Sequence, residues 1–77
     1  MARAVEKAEL VIVEWPAGVR ISLTIPGQGG SVTMAGHAAA LAATLQILKS
    51  HQLGPGVVDI IAPQWVKAEL EKHGFKF

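Results

Sequence analysis

From Val19 to Ile25 the sequence alternates without a break. Val19, Ile21, Leu23 and Ile25 are apolar, and Arg20, Ser22 and Thr24 stand between them. A β-strand turns successive side chains to opposite faces, so this segment reads as a strand with one dry face and one wet face. A strand of that kind belongs to an antiparallel sheet covered on one side. Pro16-Ala17-Gly18, just before it, is turn chemistry, because proline presets φ and glycine can supply a positive φ. Ahead of the turn, Leu10-Val-Ile-Val13 is a β-branched run that reads as another strand. Leu10 and Ile12 share one face of it; Val11, Val13 and Trp15 share the other. With both faces apolar, it is either a central strand covered on both sides or one whose second face meets a partner.

A second turn follows at Pro26-Gly-Gln-Gly-Gly30. Ser31 to Met34 is then a short third strand, with Val32 and Met34 inward, or the loop that enters a helix, with Thr33 as its N-cap. The helix runs from about Ala35 to His51. Met34, Ala38, Leu41, Leu45 and Leu48 form its apolar stripe at spacings of three and four. His37, Thr44 and His51 line the polar margin beside that stripe. Lys49 complements the helix dipole, and Gly54-Pro-Gly56 stops the helix. Val57 to Ile61 is a short strand or a helical turn. Pro63 suits the first position of a last helix. That helix, Gln64 to His73, carries the opposite-charge pairs Lys67/Glu71 and Glu69/Lys72. Gly74 is its left-handed terminator, with Phe75 folding back on Leu70. The element order is ββ(β)αβα. The expected fold is one small α+β domain over residues 1–77, an antiparallel hairpin or meander packed on an alanine-rich helix, with residues 1–7 frayed or partly helical.

Composition adds a pressure toward association. A chain of 77 residues buries only about 60% of the surface its unfolded form exposes. Yet 51% of its residues are apolar and 17% charged. With no cysteine, it has neither disulfides nor a thiolate metal site to supplement the core. Surplus apolar surface is therefore expected at an interface, with another protein or with a second copy. A net charge of +1 gives no strong field. The charged N-terminal residues do not form a secretory signal, and Met34 to Leu48 is too short to span a bilayer. The expected setting is the cytoplasm, with no membrane partner.

Motifs for chemistry are thin. The loop Pro26-Gly-Gln-Gly-Gly-Ser-Val-Thr33 lacks the lysine of a phosphate-binding loop and the glycine spacing of a dinucleotide site. His37 and His51 would stand about 21 Å apart along the helix, too far to share a metal ion. No cofactor or metal is expected. No nucleophile elbow or close carboxylate pair appears, so the chain is not expected to be an enzyme. The seven basic residues are scattered among six acids, without the clustering of a phosphate footprint. The strip from Ile25 through Pro26, Gly30, Val32 and Thr33 into the alanine-rich helix is similar to the strand–glycine–helix passage of HicB-type antitoxins. It covers a minor part of the chain, lacks that family's acidic helix start and carries over no functional residue. In its Ala/Gly-rich composition the chain also looks like accessory proteins of bacteriophages and mobile elements.

The expected function is that of a protein-binding module, an adaptor or inhibitor of a larger protein. The alternatives are a small dimeric nucleic-acid-binding regulator and, more weakly, a small-ligand binder using the glycine loop. Tryptophan and arginine are over-represented among side chains that carry binding energy. The expected partner-binding residues are thus Trp15, Arg20, Ser22, Thr24 and Gln28, with the Gly27–Gly30 turn at the end of the face.

Overall fold

The computed structural model describes residues 8–25 and 28–77, residue 28 by its backbone. The expected lead-in at residues 1–7 lies outside the described residues. The elements are β1 (Ala8–Trp15), β2 (Gly18–Ile25), β3 (Gln28–Met34), α1 (His37–Ser50), β4 (Val58–Ile61) and α2 (Gln64–Glu71). The strands form one sheet in the order β3-β2-β1-β4. β1, β2 and β3 are a meander of antiparallel neighbours, and β4 returns beside β1 in parallel. The molecule is the expected α+β domain, and both ambiguous segments are strands.

Those two segments are strands for tertiary reasons. β3 pairs with β2 along its whole length, from Val19↔Met34 to Ile25↔Gln28. β1 lies inside the sheet and needs a second neighbour, which Val58–Ile61 supplies from Ala8↔Val58 to Val11↔Ile61. Val58 and Ile60 then join the core while Asp59 stays exposed.

Both helices lie on one side of the sheet. The core joins Ala8, Leu10 and Ile12 of β1, Val19, Ile21 and Leu23 of β2 and Val58 of β4 to Ala40 and Leu48 of α1 and Val66 and Leu70 of α2. Leu10, Val66 and Leu70 are wholly sealed. Burying each such side chain is worth about 1.5–3 kcal/mol.

The helix face differs from the expected one. Ala40, Thr44 and Leu48 are the buried residues of α1, Leu41, Leu45 and Ile47 are half-buried, and Ala38 is exposed. Thr44 belongs at the centre of the contact, not at its margin. Its hydroxyl donates to the Ala40 carbonyl at 2.8 Å, so the polar atom is satisfied without water. With small side chains at 40 and 44, the helix can approach the sheet closely. The N-cap is Gly36, in extended conformation, while Thr33 pairs with Arg20 inside β3.

Both helices end on the same motif. After α1, Gln52 takes φ 56°, its N–H donates to Lys49 O at 3.2 Å, and the N–H of Leu53 donates to Leu48 O at 2.8 Å. After α2, Gly74 takes φ 95°, and Gly74 and Phe75 donate to Glu71 O and Leu70 O. These are left-handed Schellman caps, the second as expected and the first closed by a glutamine where glycine is usual. Gly54-Pro-Gly56 lies beyond the stop it was expected to make. On α2, Lys72 pairs with Glu69 at 3.4 Å, and the Lys67 ammonium sits 5.6 Å from the centre of the Phe77 ring.

Gly18 has a different role from the one its turn position suggested. The described positive-φ glycines are Gly56 and Gly74. At Gly18 the demand is steric: a Cβ there would lie 2.7 Å from the Met34 carbonyl oxygen. The turn itself is Pro16-Ala17, closed by the pair Trp15↔Gly18.

Candidate protein-binding face

The alternation of β2 decides which side chains the helices leave uncovered. Val19, Ile21 and Leu23 face the core, so Arg20, Ser22 and Thr24 face away from it. The register extends that face across the sheet. Val13 and Thr33 flank Arg20, Val11 and Ser31 flank Ser22, and Glu9 and Gly29 flank Thr24. On the β4 side, Ile61 stands beside Val11 and Asp59 beside Glu9. Trp15 completes the β1 row at the turn.

Along β1 and β4 this otherwise polar face carries exposed apolar side chains. Val13, Trp15 and Ile61 are 40%, 47% and 57% exposed. Trp15 and Arg20 are diagonal neighbours on adjacent strands, within reach of long side chains. The Arg20 guanidinium carbon lies 4.9 Å from the Trp15 ring centre. A cation over an exposed tryptophan is worth about 0.5–1 kcal/mol, which favours the stacked arrangement of the two groups.

Trp15, Arg20, Ser22 and Thr24 are therefore brought together on one face. Ser22 is half-buried and the other three are exposed. Gln28 pairs through its backbone with Ile25 at the far end of the β2–β3 ladder. Pro26 and Gly27 of the expected turn lie outside the described residues. Ile61 belongs to the face as well, and only the parallel return of β4 reveals it.

A second cluster went unforeseen. Glu14, next to Trp15, accepts a hydrogen bond from His37 Nε2 at 2.6 Å and another from Trp65 Nε1 at 2.9 Å. The His37 ring stacks on Trp65 with centroids 3.9 Å apart and planes inclined by 12°. His37 opens α1 and Trp65 stands in the first turn of α2, so one carboxylate ties the end of β1 to the starts of both helices. The His37 hydrogen bond, and secondarily that of Trp65, holds the Glu14 carboxyl below its ordinary range, against a smaller opposing effect of desolvation.

A depressed folded-state value means the clasp stabilises the fold above the unfolded-state value and loses that contribution as pH falls through the folded one. In an NMR titration the Glu14 carboxyl should titrate below the ordinary glutamate range and move up toward it in Trp65→Phe. The melting-temperature difference between the wild type and Glu14→Gln should close in acid. A Glu14 midpoint at or above the ordinary value would dissolve the clasp.

Among the described residues no group of three or more His, Cys, Asp or Glu side chains converges as a metal site would require. No described helix is long and apolar enough to cross a membrane. No protein-family model, curated protein or solved structure matches the chain.

Proposed function

We propose that the chain is a protein-binding module, an adaptor or inhibitor that covers part of a larger protein with the open face of its sheet. The observation that supports this reading is the uncovered apolar patch of Val13, Trp15 and Ile61 beside the Arg20–Trp15 pair. Solvent-exposed patches of this kind in a small domain mark interaction surfaces. A rigid aromatic with an arginine held against it has the composition of a binding hot spot. The module acts by occupying a surface.

Charge favours a protein partner over nucleic acid. The register sets Arg20 toward the Trp15 end of the face and Glu9 and Asp59 at the other end. A face that tracked phosphates would cluster cations instead.

The test is capture with the full chain, with and without nuclease, comparing the wild type with Trp15→Ala/Arg20→Ala. The wild type should recover a nuclease-resistant protein. The double variant, with unchanged circular dichroism and melting, should bind that protein at least about tenfold more weakly. Undiminished affinity would remove the site from this face, and nuclease-sensitive recovery would replace the protein partner with nucleic acid.

A further inference from the structure

We propose that the chain self-associates through the outer edge of β3, two copies pairing antiparallel about a two-fold axis at Ser31 so that their sheets become one. The inference does not rest on the open face described above.

The sheet has two edges, and they differ. β4 is four residues long and carries Asp59, and the C-terminal residues Phe75 to Phe77 line a cleft with it. β3 is seven residues long and contains no charge and no proline. Its ladder with β2 runs without a bulge, and Gly29 through Thr33 are all exposed. Edge strands are normally protected by shortness, charge, proline or a bulge, and β3 has none of these. Its outer row of N–H and C=O groups can exchange water for the backbone of an extended strand.

The strand that fits is another β3. With the axis at Ser31, all seven residues overlap, Ser31 faces its mate, Gly29 faces Thr33 and Gly30 faces Val32. Gly30 is where space exists: nothing lies within 4 Å of the position its Cβ would take. Beside it opens a cleft of about 290 Å³ whose lining includes Ile21, Leu23, Val32, Ile47 and His51. Val32 is 42% exposed and shares the pleat row of Ile21, the row that faces this cleft. Pairing sets the copy's Val32 against the bare Gly30 at the cleft, and the axis repeats the contact. Neither strand brings a charge, so no like charges oppose one another, and the net charge of +1 gives no long-range repulsion. At ~3.4 Å per residue the shared edge is ~24 Å long. A contact confined to one strand edge of that length should bury less than the ~800 Å² per partner of a standard stable interface, so the dimer should depend on concentration.

The absence of native cysteine makes the test direct. In the full-length protein Ser31→Cys introduces a single thiol. Directly opposed residues of an antiparallel pair have Cα atoms about 4.5–5.5 Å apart, within disulfide reach. Mild oxidation should link Ser31→Cys into dimers, while Thr24→Cys, one strand in from the edge on the open face, should link at least about tenfold more slowly. Light scattering of the wild type should show mass rising toward a dimer with concentration, and Val32→Lys should shift that transition at least about tenfold higher. Should Val32→Lys fail to fold, the two cysteine variants still decide. A wild type that remains monomeric at every concentration, equal cross-linking at residues 24 and 31, or a folded Val32→Lys that dimerises like the wild type would each overturn the proposal.

Discussion

Replacing Leu10 by alanine is expected to lower the free energy of unfolding by about 2–5 kcal/mol. Leu10 has no exposed surface. It lies on the strand with neighbours on both sides, paired with Leu23 of β2 and Ile60 of β4, and its cluster takes in residues of both helices. The void left by truncation opens within a core that three strands and two helices build together, so closing it would require shifts in more than one element. Small domains have total stabilities of about 5–15 kcal/mol, and one this short belongs near the lower end. The variant should therefore retain about 0–3 kcal/mol and, at the upper end of that loss, be partly unfolded at room temperature. Val13→Ala on the same strand, in a position 40% exposed, should lose less than about 1 kcal/mol. Urea melts read at constant slope measure both. Equal losses at the two positions would mean that the helices do not lie on the Leu10 side of the sheet.

The second large effect is expected from a single added methyl. In Gly18→Ala the new Cβ would sit 2.7 Å from the Met34 carbonyl oxygen. That oxygen belongs to the end of β3, where backbone cannot swing aside as a side chain would. Either the β1–β2 turn or the last pair of the β2–β3 ladder must shift, at a cost of about 1–3 kcal/mol. Each kcal/mol lowers the melting temperature of a domain this size by about 4–8 °C. Gly54→Ala is the matched control, since nothing lies within 4 Å of its Cβ position. It should be neutral or stabilising by about 0.4–1 kcal/mol, because alanine narrows the unfolded ensemble. A Gly18→Ala variant that melts like the control would place Met34 elsewhere.

What could be read in advance was what the backbone itself imposes. The period of two in β2 divides Val19, Ile21 and Leu23 from Arg20, Ser22 and Thr24 whatever packs against them, and so four of the five expected binding residues fall on one face. The helix resisted because its alanines, 38, 39, 40, 42 and 43, are spread around the axis and flatten the periodic signal. Thr44 looks polar in sequence and becomes apolar in effect by donating to Ala40. The Glu14 clasp was out of reach of local rules, since its partners lie 23 and 51 residues away. Ile61 could be placed on the open face only by knowing that β4 runs parallel to β1. β3 is a strand despite its paired glycines because β2 offers it a complete ladder.

The position of β1 also governs the order in which the fold can be made. Its partner on one side, β2, follows immediately and closes as a hairpin, an event of about 1–10 μs. Its partner on the other side is Val58–Ile61, which the ribosome delivers only after all of β3 and α1, a delay on the order of seconds at ordinary rates of synthesis. Throughout that interval Ala8 to Val11, the stretch that β4 later pairs, lacks its second neighbour on a growing chain. The nascent meander is thus exposed to mispairing with other chains until β4 arrives to seal it. Translation speed and chaperone access over that stretch should weigh on the yield of folded protein more heavily than the intrinsic speed of any one element.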